Sequence, residues 1–173
     1  MAETLQTIRS RKSVRKYEDR PVPRDLLEKL ISTGMAAPSA KDVRPWSFIG
    51  ITERGTMARL SEGLKYGKML PAAGGAIVVC GTPREPKPGV TKDLWIQDCS
   101  AATQNILLAA EDEGLGAVWV CVHPIEAHIK HVREVLGIPS DTVPLCVISI
   151  GYPAGEASPK DKYEPEKIHW ERW

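Results

Sequence analysis

The residues of this 173-residue chain best suited to chemistry are the octet Arg9-Ser10-Arg11-Lys12-Ser13-Val14-Arg15-Lys16, which packs five cations and two hydroxyls together. Guanidinium forks, ammonium groups and a hydroxyl donor are what a phosphomonoester needs, with its near-double charge and several acceptor oxygens. Arg11, Ser13 and Arg15 alternate, and alternate residues of an extended segment point the same way. The same composition also suits solvated charges at a helix C-terminus, where cations favour the dipole. Lys160 and Lys162, again alternate, could bring further positive charge to an anion from the other end of the chain.

A second candidate is the loop from Ala36 to Trp46, which has two prolines and several small side chains ahead of a strand-like run. Small residues let a backbone approach a flat ligand closely, although an ordinary helix-to-strand connector looks the same. Trp95 and Tyr66 fit either a ligand pocket or the core. His128 and His131 lie three apart on a predicted helix, but no third ligand stands at matching spacing, so no metal site is expected. There is no G-x-G-x-x-G after a strand and no G-x-x-x-x-G-K-[ST], which argues against dedicated dinucleotide and nucleoside-triphosphate folds.

The bulk numbers point to one domain with one core. Lysines and arginines number 23 against 22 acids, a formal charge of +1. A general nucleic-acid binder would be far more basic, so no nucleic-acid partner is expected. The four cysteines, Cys80, Cys99, Cys121 and Cys146, sit apart in apolar runs, which reads as reduced core thiols of a cytoplasmic protein. No signal pattern opens the chain, and no apolar run approaches the ~20 residues of a membrane helix.

The elements that must position these residues follow from periodicity. A short helix over Glu3–Ser10 leads into the octet. Leu26, Leu27, Leu30, Ile31 and Met35 share a helical face, with Gly34 as its stop. Trp46–Ile51 reads as a strand, Glu53–Leu64 as a weaker helix, and Ala76–Cys80 as a strand covered on both faces and so central in a sheet. Thr82–Val90 holds three prolines and reads as a surface loop. Thr91–Glu113 is a long helix apolar nearly all round, which calls for cover beyond one small domain. Gly114-Leu115-Gly116 breaks it ahead of a strand at Ala117–Val122. Pro124 opens a helix with Glu126 paired to Lys130 and Gly137 at its end. Leu145–Ile150 is the last core strand. The tail from Gly151 to Trp173 carries Tyr152, Tyr163, Trp170 and Trp173 without a core of its own, so these aromatics need anchoring elsewhere.

Taken in order, Arg11-Lys12-Ser13-Val14-Arg15, Ala37-Pro38-Ser39 leading to Pro45-Trp46, Gly114-Leu115-Gly116 before a Trp-bearing strand, and Gly151-Tyr152-Pro153 before a basic tail resemble the FMN-dependent nitroreductase family. The resemblance spans nearly the whole chain. It implies a single α+β domain over 1–173, a three-layer α/β/α sandwich with a central mixed sheet, in an intertwined homodimer whose 152–173 tails pack on the partner. It further implies FMN held by Arg11, Ser13, Arg15, Lys160 and Lys162 at the phosphate, with Lys12 lining the flavin and Lys68 at its pyrimidine end. Pro38, Ser39, Ala40 and Asp42 would come from the other subunit, and the backbone of Gly116 and Ala117 would lie near the reactive edge. The implied activity is electron transfer from NADH or NADPH to nitroaromatics, quinones or similar flat acceptors by a ping-pong mechanism, with the chemistry on the flavin and no catalytic side chain. Relatives of the fold turned to reductive dehalogenation, flavin breakdown or non-catalytic flavin binding are the alternatives. The chain departs from the family at Ala40, Asp42 and Arg44, where Ser, Asn and Gln are frequent, and an Asp42–Arg44 ion pair is the other reading of that loop. It also lacks the lid helices of larger members.

Overall fold

The protein is described from a computed structural model, which covers residues 3–83, 93–155 and 157–173. Its helices are α1 (Glu3–Ser10), α2 (Arg24–Met35), α3 (Arg54–Gly63), α4 (Leu94–Asp112) and α5 (Glu126–Leu136). Its strands are β1 (Trp46–Ile51), β2 (Gly75–Gly81), β3 (Gly116–Cys121) and β4 (Val143–Gly151). They form one sheet in the order β1-β2-β4-β3. Among the described strands the sheet is antiparallel rather than mixed as expected, since all three pairings are antiparallel and the one parallel contact is an isolated bridge between Ser13 and Ala117.

Alternation along the strands separates two cores. Ala76, Val78, Cys80, Val120 and Val147 face Met57, Leu60 and Leu64 of the α3 region and Ile129 and Val132 of α5. Ile77, Val79, Cys146, Ile148 and Ile150 face Leu27 and Leu30 of α2 and Cys99, Ile106 and Leu107 of α4. That is the three-layer sandwich, with β2 and β4 buried throughout its centre as their unbroken apolar runs require.

Several sequence expectations are corrected. Gly34 does not stop α2, which runs on through Met35. A Cβ at Gly34 would meet Ile106 at 2.9 Å and the Ala102 carbonyl at 3.3 Å, so the glycine is there to let α2 approach α4. Lys130 pairs with Glu134, at 3.9 Å, rather than with Glu126. Cys121 is exposed while the other three cysteines are buried. Trp95 belongs to the core, edge-on to His123 at 5.1 Å between ring centroids. Most of the expected Thr82–Val90 loop, and Thr91 and Lys92 of the expected long helix, fall outside the described residues.

Candidate functional site

The octet leaves α1 and is stitched to the sheet along its length. The Val14 amide donates to the Ala117 carbonyl at 3.0 Å, the Glu18 amide to the Tyr152 carbonyl at 2.9 Å, and the Ala154 amide to the Lys16 carbonyl at 3.0 Å. Tyr17, buried between them, directs its hydroxyl at the Val14 carbonyl, 2.7 Å away, with the Ser149 carbonyl at 3.2 Å. Burial pushes that phenol up to about 12. Two glycines permit the close fit. A Cβ on Gly116 would meet Val14 at 2.6 Å, and one on Gly151 would meet Tyr17 at 2.8 Å. With Val14 and Tyr17 turned inward, Ser13, Arg15 and Lys16 are left exposed.

The octet docks where β3 begins, and the tail leaves where its neighbour β4 ends, at Gly151 paired with Gly116, so the two ends of the chain meet. Arg11, Lys12, Ser13 and Arg15 line a cavity of about 270 Å³ together with Ala157, Ser158, Lys160 and Lys162. The cations expected to act together thus converge, and Ser158 adds a hydroxyl that sequence reading did not single out. Lys12 is already matched: its ammonium is 3.0 Å from Glu111 of α4.

Arg15 is also one wall of a second cavity, of about 530 Å³, running over β3. Val118, Trp119, Val120 and Cys121 line it with Met69 and Ile125, while Lys65, Tyr66, Lys68 and His128 add polar groups. Lys68 donates to the Ser61 carbonyl in the last turn of α3, at 3.2 Å. Gly116 and Ala117 line neither cavity, because the octet covers them; the strand residues just after them do. Their alternating apolar pattern read only as core, and nothing local in the sequence says that β3 is an edge strand.

The Pro38–Asp42 loop stands away from both cavities. The Ala40 amide donates to Oδ1 of Asp98, a buried carboxylate on α4, at 3.0 Å, and the Arg44 amide donates to Ser39 Oγ at 2.9 Å. Lys41, Asp42 and Arg44 have φ of 48°, 54° and 51°, the left-handed region that non-glycine residues rarely occupy. The Arg44 guanidinium forks onto Asp42 at 2.7 and 2.5 Å, the ion pair weighed as the alternative. In this chain Asp42 is therefore committed to Arg44.

An FMN-sized ligand can be tested against these surfaces. A phosphate suits the smaller cavity, whose charged lining is cationic among the described residues. A planar ring suits the apolar groove beyond Arg15, with the Lys68 ammonium available to a ring carbonyl. The residues fit the group. Among the described residues no cluster of three or more His, Cys, Asp or Glu could hold a metal ion, and no helix is long and apolar enough to cross a membrane.

Comparison with known proteins agrees with the geometry. The nitroreductase family matches residues 8–66 and 53–152. A protein from Archaeoglobus fulgidus, whose name proposes an NADH dehydrogenase/NAD(P)H nitroreductase, is 44% identical over the full length of both chains. A crystal structure from Parabacteroides distasonis, named in the same way, superposes with a TM-score of 0.94 at 48% identity, covering 100% of each chain. An FMN-dependent nitroreductase from Clostridium difficile superposes with a TM-score of 0.89 at 30% identity, over 98% of this chain and 99% of that one.

Proposed function

Because this chain belongs to the nitroreductase family, we propose that it is an FMN-dependent oxidoreductase, carrying reducing equivalents from NADH or NADPH to a nitroaromatic, quinone or similar flat acceptor. The observation that carries this reading is the meeting of Arg11, Ser13, Arg15, Lys160 and Lys162 around one cavity that shares Arg15 with an apolar groove. FMN, when bound, supplies the electron chemistry, which is why the chain needs no nucleophile or base of its own. The protein's part is to grip the phosphate, seat the ring against β3, and place the Lys68 cation where negative charge develops on reduction. The loop at Pro38, Ser39, Ala40 and Asp42 is offered outward, to the site of a partner in a cytoplasmic homodimer. Asp98 holds its backbone in place while Asp42 is engaged by Arg44.

With no nucleotide-binding motif, the nicotinamide donor binds transiently on the same face that the acceptor later uses, so the kinetics are ping-pong. The test is direct. Purified protein incubated with FMN and desalted should be yellow, bleach with NADH or NADPH, and regain colour with a quinone. Initial rates at several fixed donor concentrations should give parallel double-reciprocal lines. Protein that stays colourless overturns the cofactor reading, and intersecting lines overturn the ping-pong mechanism.

A further inference from the structure

The groove over β3 is one-sided in charge. Arg15, Lys65 and Lys68 line it, and no carboxylate does among the described residues. Two of these cations have other work in the reading above: Arg15 also faces the phosphate cavity, and Lys68 is tied to the α3 terminus through the Ser61 carbonyl. Lys65 is different. Its ammonium lies 5.3 Å from the centroid of the Tyr66 ring, and no carboxylate pairs with it among the described residues. Tyr66 itself is 69% exposed, a large ring held out in water at the mouth of the groove.

An exposed aromatic face beside an uncompensated cation is suited to a planar molecule that carries a negative charge, since one group stacks and the other pairs. A neutral ring of the same shape gains only the stacking. We propose that this groove selects planar aromatic acceptors bearing a carboxylate or sulfonate over neutral acceptors of the same ring, and that Lys65 reads the charge. The proposal rests on the flavin reading and adds its substrate class. For a nitroarene the turnover balances as NADH, a proton and the nitro compound giving NAD+, the nitroso compound and water.

The flavin-loaded full-length protein tests it with para-nitrobenzoate and para-nitrobenzamide as acceptors. As a readout free of turnover, the flavin absorbance is titrated with benzoate and with benzamide. In low salt the carboxylate should lead in kcat/KM, and benzoate in affinity, by about two- to fivefold, as one solvent-facing charge pair allows. The lead should shrink as salt shortens the screening length below ~10 Å. Lys65→Gln should bring both ratios close to one, and Lys65→Arg should keep them. Equal handling of charged and neutral acceptors by the wild type, or a ratio unmoved in Lys65→Gln, overturns the proposal while leaving a yellow, NADH-bleachable protein. A protein that takes up no FMN overturns instead the flavin reading beneath it.

Discussion

A methyl group at Gly116 has no room. Its position lies 2.6 Å from Val14 Cγ1 and 2.7 Å from Val14 Cβ, and a β-branched side chain has little freedom to swing aside. Gly116→Ala should therefore push the octet off β3, costing about 1–3 kcal/mol of stability in urea unfolding and weakening FMN binding with it. Adding Val14→Ala should recover part of the binding, since it removes the two γ-methyls from the collision while Cβ stays in place. Cys121 gives a second test at this scale. Burial pushes the Cys80 and Cys99 thiols up to about 12 and Cys146 higher still, whereas Cys121 is exposed on the groove. Ellman's reagent on the native protein should thus titrate one thiol per chain quickly, and FMN should slow it. Fast labelling of two or more native thiols would contradict the buried positions. The sequence announced Gly116 as a helix breaker and Cys121 as a core residue. It could not show that the first is a contact point or that the second is exposed, because both depend on what another part of the chain places beside them.

Seen as elements, the helices and strands were largely legible, because periodicity and breakers are local. The long helix apolar nearly all round is α4, sandwiched between the sheet, α2 and α1, and the central strand is β2 as its unbroken run suggested. The docking of the octet was not legible. It needs β3 at the sheet edge, and the order β1-β2-β4-β3 is set by long-range pairing that leaves no local mark. Tyr17 is the rivet of that docking, and its chemistry makes a prediction. The unfolded chain's phenol ionises near 10 while the folded one holds its proton up to about 12. Between those values the folded state binds more protons than the unfolded state, so stability is intact below the lower value and falls as pH climbs toward the upper one. Cys80 and Cys99 act in the same sense from the ordinary thiol value of 9.0. Tyr17→Phe should cost about 1 kcal/mol at neutral pH for the lost hydrogen bond and make the alkaline loss shallower without abolishing it. Urea unfolding from pH 7 to 11 checks both, and an unchanged alkaline slope would refute the assignment to Tyr17.

At the scale of the whole molecule, the single chain leaves surface that water does not favour. Leu5 and Ile8 on α1 are each 48% exposed, and every described residue from 157 to 173 is exposed, with Trp170 at 80% and Trp173 at 101%. Tyr152 is held by its own domain, with Arg20 over its ring at 3.7 Å, and Trp173 lies against His169 of the tail itself. That tail aromatics need an anchor was legible from composition; what receives them was not, since among the described residues the body of the domain leaves Trp170 and Trp173 exposed. In the proposed homodimer a second copy would be the receiver, and burying two tryptophans would supply several kcal/mol per chain. The tail carries cations as well as aromatics, so deleting it would confuse assembly with ligand grip, and two full-length variants separate them. Trp170→Ala with Trp173→Ala should shift sedimentation toward monomer at concentrations where the wild type stays dimeric. Lys160→Gln with Lys162→Gln should leave the dimer intact but raise the Kd for FMN by about tenfold or more and flatten its salt dependence, because two of the cations around the phosphate cavity are gone. Wild type that sediments as a monomer at all concentrations would remove the tail's role in assembly. FMN affinity unaffected by the lysine pair would separate the two ends of the chain that the cavity brings together.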